Sequence, residues 1–172
     1  KSEIDISDEI PFEIPQSWSW CRLSSVITLL SGRDLTPDRY NSKENGIPYI
    51  TGASNFYNGN LLINRWTESP MTVSHFNDLL IICKGTIGEM AFNRIGSIHI
   101  ARQIMALTGI VGDLDYIRWF LYANISSIER QANSMIPGIS RDTLLKTLLP
   151  LPPKLEQRRI NDKIVRLLDE LK

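Results

Sequence analysis

The spacing of apolar residues changes twice along this chain. From Ile47 to Leu107 the apolar runs are short and separated by Gly, Asn and Pro, the punctuation of strands and turns. Ile47-Pro48-Tyr49-Ile50 and Leu61-Leu62-Ile63 are expected as strands around the tight turn Asn58-Gly59. Asp78 to Cys83 does not alternate, so it reads as a strand buried on both faces. Glu89 to Asn93 does alternate and is expected to return from it as a hairpin, through the turn Lys84-Gly85-Thr86-Ile87-Gly88. Ser97–Ile100 and Gln103–Leu107 supply two further short strands. Beyond them the period lengthens. Tyr116, Ile117, Phe120, Leu121 and Ile125 share one stripe of a helix, with Asp113 or Asp115 available as its N-cap. A third pattern closes the chain. Pro152-Pro153 stops what precedes it, and Pro153 suits the first turn of a helix, where its missing N–H costs nothing. Ile160, Ile164, Leu167 and Leu171 then recur in the a/d spacing of a coiled coil, with Arg158, Arg159, Lys163 and Arg166 mostly off that seam.

These patterns predict an α+β fold: a mainly antiparallel β globular domain with a few helices over residues 1–150, strands first and helices after. A C-terminal amphipathic coiled-coil-type helix follows over 151–172. Residues 1–15 read as an extended leader, because Pro11 and Pro15 push the residues before them out of the helical region. Trp18 and Trp20, alternating with Ser17 and Ser19, have strand spacing and are expected to anchor that strap to the core.

Composition fits one core. With 172 residues, 42% of them hydrophobic, the chain can bury roughly 70% of its unfolded surface. Cys21 and Cys83 lack metal spacing, no basic stretch precedes an apolar signal segment, and no apolar run reaches the roughly 20 residues of a membrane span. The expectation is a reduced, cytoplasmic protein away from membranes, in which Asn124-Ile125-Ser126 matches a glycosylation acceptor only by accident.

Charge complicates the choice of partner. Nineteen basic residues balance nineteen acidic ones, whereas a nucleic-acid binder ordinarily carries a basic excess. The balance is uneven along the chain. Residues 1–13 hold one Lys against five acids, and the remainder is mildly basic at +4, which permits phosphate contact without arguing for it.

Catalytic patterns are missing or accidental. A methyltransferase would need an Asn/Asp-Pro-Pro-aromatic motif and a Gly-rich cofactor loop, and the chain has neither. A magnesium-dependent nuclease would need clustered carboxylates beside a lysine. Pro37-Asp38 with Glu170-Leu171-Lys172 supplies those letters only across about 130 positions. His75 and His99 are isolated, as surface or packing histidines would be. Gly85-x-x-Gly88 is too short a pattern to define a KH-type clamp.

Two segments carry a family resemblance. Leu149-Pro150-Leu151-Pro152-Pro153, continuing as Leu155-Glu156-Gln157-Arg158-Arg159-Ile160 and a basic amphipathic helix, resembles the junction in specificity subunits of type I restriction-modification enzymes. Ile14-Pro15-Gln16-Ser17-Trp18-Ser19-Trp20-Cys21-Arg22-Leu23 resembles the entry into a target recognition domain of that family. The resemblance implies a domain that recognises double-stranded DNA, one half of a bipartite site, next to a spacer helix that holds two such domains apart. It implies no chemistry and no cofactor in this chain. Methylation and cleavage would belong to methyltransferase and restriction subunits, with S-adenosylmethionine and ATP bound there. The terminal helix, at about 27 Å of rise, is short for a spacer, which predicts a piece of a longer subunit or a half subunit that pairs with a copy of itself through Ile160, Ile164, Leu167 and Leu171.

Direct readout of bases needs Arg or Lys for guanine and Asn or Gln for adenine. Three loops offer such groups: Arg33, Arg39 and Tyr40 in the first, Thr51, Ser54 and Asn55 in the second, Lys84 and Thr86 in the third. Each equally suits an ordinary turn, and in the third Gly85 and Gly88 would supply unusual backbone angles at a hairpin. The resemblance adds Arg102 and Gln103 as a polar pair near the DNA face, and Ser140 in a loop before the last helix of the domain, where it could equally be that helix's N-cap. The neutral total charge supports another reading, a protein-interaction module with an oligomerising C-terminal helix and no DNA binding.

Overall fold

The computed structural model describes residues 5–131 and 138–171. In chain order the strands and helices are β1 (Ser19–Arg22), β2 (Ile27–Ser31), β3 (Ile47–Ile50), β4 (Phe56–Tyr57), β5 (Asn60–Leu61), β6 (Trp66–Thr67), β7 (Val73–Ser74), β8 (Leu79–Ile82), β9 (Met90–Phe92), β10 (Ile98–Ile100), β11 (Ile104–Gly109), α1 (Leu114–Gln131), α2 (Arg141–Lys146), β12 (Leu148–Leu151) and α3 (Lys154–Asp169). The α+β class and the predominance of antiparallel pairing match the sequence reading.

The unbroken apolar run of β8 explains the layering. Leu79, Leu80, Ile81 and Ile82 are all fully buried. Leu79 and Ile81 join the cluster under α1 and α2, while Leu80 points the other way, among Ile50, Ile98, Ile100, Ile104 and Ala106. A strand with apolar side chains on both faces has to be sandwiched, and β8 lies inside an antiparallel sheet in the order β2-β11-β8-β9. Its second face packs on a mixed sheet, β6-β3-β10-β7, in which β3 and β10 run parallel. Each such side chain contributes about 1.5–3 kcal/mol on burial. Of the predicted helical stripe, Tyr116, Ile117 and Leu121 are buried and Phe120 and Ile125 pack half-buried against the same core, and Asp113 caps α1 by accepting the Asp115 N–H at 2.9 Å.

Three expectations need correction. The turn Asn58-Gly59 joins β4 to β5, whereas β3 pairs with β10 and β6. The reason is that the chain between β3 and β4 turns at Thr51–Asn55 before the hairpin begins. Strands do not all precede helices either, since β12 follows α2 and pairs antiparallel with β1, Ser19 opposite Leu151 and Arg22 opposite Leu148. The two ends that carried the family resemblance are therefore one ribbon. Finally, Trp20 ties the strap, its indole N–H donating to the Phe12 carbonyl at 3.2 Å, but Trp18 donates to Glu156 on α3 at 3.0 Å.

The start of α3 is docked from several sides. Gln157 is buried; its Oε1 accepts the Asp113 N–H and its Nε2 donates to the Pro152 carbonyl, both at 2.7 Å. Trp119 donates to Asn161 at 2.9 Å. Tyr116 donates to the Pro150 carbonyl, and burial pushes its phenol up to about 12, so it remains a donor at every physiological pH. Along the anticipated seam Ile160 packs on the core of the domain, Ile164 is half-buried, and Leu167 and Leu171 are exposed.

Candidate nucleic-acid interface

The turn between β10 and β11, residues 101–103, is where the candidate loops meet. The loop that leaves β2 is bound to it twice: Gly32 N–H donates to the Ile104 carbonyl and Arg33 N–H to the Ile100 carbonyl, each at 3.0 Å. The end of β3 is bound by the Ala101 N–H, which donates to the Ile50 carbonyl at 2.9 Å. The β8–β9 turn is bound by the Cys83 N–H, which donates to the Gln103 carbonyl at 2.8 Å. Loops far apart in sequence thus share one backbone scaffold, and Arg33, Thr51, Lys84, Arg102 and Gln103 are brought into one neighbourhood. Close approach is what Gly32 provides, since a Cβ there would sit 2.1 Å from the Ala101 carbonyl oxygen.

Arg33 and Lys84 are exposed, and their charged groups have no partner among the described residues. Arg102 is also exposed but its Nε lies 2.8 Å from Asp34, whose other oxygen accepts the Arg102 backbone N–H at 3.1 Å. An exposed pair of this kind contributes little to stability. The pair fixes the direction of the guanidinium and leaves further N–H donors unengaged. Three cations, Arg33, Lys84 and Arg102, face two carboxylates, Asp34 and Glu89 at the end of the β8–β9 turn, so the neighbourhood is mildly basic although the chain is neutral. Gln103 is exposed and its amide oxygen lies across Gly52, 2.6 Å from where a Cβ would stand. Ser54 and Thr86 are exposed.

Other candidates have structural occupations. Asn55 is fully buried, so its amide is not offered outward: Oδ1 accepts Thr51 N–H and Thr51 Oγ1–H at 2.9 Å, and Nδ2 donates to the Leu62 carbonyl at 2.8 Å. This corrects the reading of Asn55 as a base contact, and it also engages the Thr51 hydroxyl. Arg39 donates to the Ser69 carbonyl at 3.1 Å, and the Arg65 guanidinium covers the Tyr40 ring at 5.0 Å. Ser140 is the N-cap of α2, accepting the Thr143 N–H at 3.0 Å. The rest of its loop, residues 134–137, lies outside the described residues. In the β8–β9 turn Gly85 and Gly88 have φ of 81° and 89°, so the turn requires them whatever Lys84 and Thr86 contact.

Sequence reasoning missed His99 as a part of this scaffold. It is fully buried, and its Nδ1 accepts the Met71 and Thr72 N–H groups at 3.2 Å while Nε2 lies 2.9 Å from the Arg33 carbonyl. Two donors at Nδ1 require the neutral ring with its proton on Nε2. Burial lowers its pKa from the ordinary value near 6.5. A depressed histidine binds its proton more readily unfolded than folded, so its stabilising contribution is complete above about pH 6.5 and declines as pH falls below that value. Urea midpoints measured from pH 8 to pH 5 should stay level and then drop. Midpoints that stay level down to pH 5 would contradict this role for His99.

Among the described residues no three His, Cys, Asp or Glu side chains converge as a metal site, and no helix is long and apolar enough to cross a membrane. The architecture is a layered body with polar loops gathered at one turn and a docked terminal helix. The same architecture occurs in the crystal structure of the HsdS subunit from Thermoanaerobacter tengcongensis, with a TM-score of 0.82 and 24% identity over 93% of this chain and 39% of that one. Residues 15–172 match the family described as Type I restriction modification DNA specificity domain, and the chain belongs to that family. Relatives include the putative type I restriction enzyme MjaX specificity subunit of Methanocaldococcus jannaschii, 24% identical over 92% of this chain and 38% of its own length. The EcoAI specificity subunit of Escherichia coli is 27% identical over 96% of this chain and 30% of its own length. The chain thus spans about a third of these relatives.

Proposed function

We propose that this chain is a DNA target recognition module that reads one half of a bipartite site as part of a type I specificity subunit, or as a half subunit. Residues 1–150 form the reader and residues 151–172 the start of the spacer. The observation that carries the reading is the gathering of Arg33, Lys84, Arg102 and Gln103 around the β10–β11 turn by backbone hydrogen bonds. Family membership supports it independently. In this reading the chain has no chemistry of its own and works in the cytoplasm with methyltransferase and restriction subunits, which methylate and cleave.

Binding of labelled duplex across a salt series tests the proposal. A DNA reader should lose affinity linearly in log salt, with a slope of about −0.9 per neutralised phosphate. Arg33→Ala and Lys84→Ala should each weaken binding and flatten that slope by about one if they contact phosphate, while thermal midpoints stay unchanged. No binding at the lowest salt would instead favour a protein-interaction module.

The terminal helix serves in this proposal as a pairing element. Its free apolar residues lie beyond Ile160, which the domain already uses. Ile164→Asp with Leu167→Asp should convert any dimer seen by sedimentation to monomer without altering the fold of residues 1–150. A persistent dimer would place the pairing on another surface.

A further inference from the structure

We propose that the β4–β5 hairpin is a base-reading ribbon for the major groove, with Tyr57, Asn58 and Asn60 determining specificity; the proposal rests on the DNA-recognition reading above. The hairpin has two unlike faces. Phe56 and Leu61 pack against the cluster between the sheets. Tyr57, Asn58, Gly59 and Asn60 face solvent, with Tyr57 63% exposed. Asn58 and Gly59 take φ of 49° and 74°, so the connection is the tight two-residue kind that keeps the ribbon narrow. A two-stranded ribbon fits a major groove about 12 Å wide.

The chemistry of the segment favours bases over phosphates. From Thr51 to Asn64 the chain has no charged side chain, only amides, hydroxyls and apolar groups. Phosphate contacts draw chiefly on Arg and Lys, whereas Asn reads adenine by donating to N7 and accepting from the N6 amino group. Asn60 is set up for that exchange. One of its Nδ2 protons is bound to the Asn58 carbonyl at 3.2 Å, which holds the amide at the tip and leaves a second proton and the oxygen free. A neutral chain can therefore be selective, with Arg33, Lys84 and Arg102 supplying attraction and the ribbon supplying discrimination.

The root of the ribbon is rigid and joined to the basic neighbourhood. Buried Asn55 ties Thr51 and Gly52 on one side to Leu62 and Asn64 on the other. Gly52 in turn lies beneath the Gln103 side chain. The brace fixes where the tip stands relative to Gln103, which is what reading a defined base requires.

Selection from a random duplex library with the full chain at low salt tests this, using the unmodified protein, Asn60→Ala and Tyr57→Ala, each checked for an unchanged thermal midpoint. Asn60→Ala should lose the adenine preference at one position and bind the selected duplex about tenfold more weakly, with an unchanged salt slope. 7-Deazaadenine at that position should weaken the unmodified protein by a similar factor and leave Asn60→Ala unaffected. If the unmodified protein selects a site and both variants select the same site with equal affinity, the hairpin is not a reader although DNA recognition stands. A uniform loss over all sequences with a flatter slope would make it a backbone contact and also overturn the proposal. A protein that selects no site would remove both readings.

Discussion

Gly32→Ala should be among the most damaging substitutions of a small residue in this chain. The added methyl would stand 2.1 Å from the Ala101 oxygen and 2.6 Å from the Ile100 oxygen, both backbone atoms that cannot swing aside. Relief requires moving the loop away from β10, which breaks the Gly32 and Arg33 N–H bonds to Ile104 and Ile100. Forced overpacking ordinarily costs 1–3 kcal/mol, and the rigid neighbours put this site at about 3 kcal/mol. For a chain of this size that is a thermal midpoint lower by roughly 6–12 °C. DNA affinity should fall as well, because the displaced loop carries Arg33. Gly59→Ala is the comparison: nothing lies within 4 Å of its Cβ, and only the positive φ resists, at about 1 kcal/mol. Equal losses in the two variants would show that the loop after β2 does not meet the end of β10 this closely.

Gln157→Leu should be comparably severe for a different reason. Leucine fills similar space but leaves the Asp113 N–H and the Pro152 carbonyl buried without partners. Each orphaned group costs about 1–3 kcal/mol, so a loss of about 2–6 kcal/mol is expected. The helix should detach locally before the body unfolds, since β8 and its neighbours do not depend on it. Trp18 and Trp119, whose indoles donate to Glu156 and Asn161 on α3, make that detachment visible as a fluorescence change at lower urea than global unfolding. Gln157→Glu separates the two bonds. A carboxylate can still accept from Asp113 but faces the Pro152 oxygen, so this variant should be weakest at neutral pH and recover as pH falls and the carboxyl becomes protonated. A single coincident transition in Gln157→Leu, with no loss of stability, would mean that the amide is not holding the helix.

Much of the architecture was legible because its causes are local. The run Leu79–Ile82 cannot bury both faces except between layers, the Lys84–Gly88 turn returns the chain as β9, and the stripe from Tyr116 to Ile125 has only one way to face a core. Asp113 and Ser140 cap helices for reasons contained in a few residues. What escaped was long-range pairing. Nothing local marks Leu148–Leu151 as the partner of Ser19–Arg22, because a short apolar run with prolines around it can end a domain as readily as join a ribbon. Nor does Asn55 differ, as a letter, from Asn58 or Asn60; the fold buried the first and exposed the others.

By itself the sequence determined the class of fold, the two motifs that bracket the chain and the residue types able to meet DNA, since period, turn chemistry and side-chain chemistry act over a few positions. Only the tertiary structure decided which of those residues stand together. Arg33, Lys84, Arg102 and Gln103 become neighbours through backbone hydrogen bonds to one turn, and Asn55, His99 and Gln157 become braces because burial obliges each polar atom to find a partner wherever the chain supplies one.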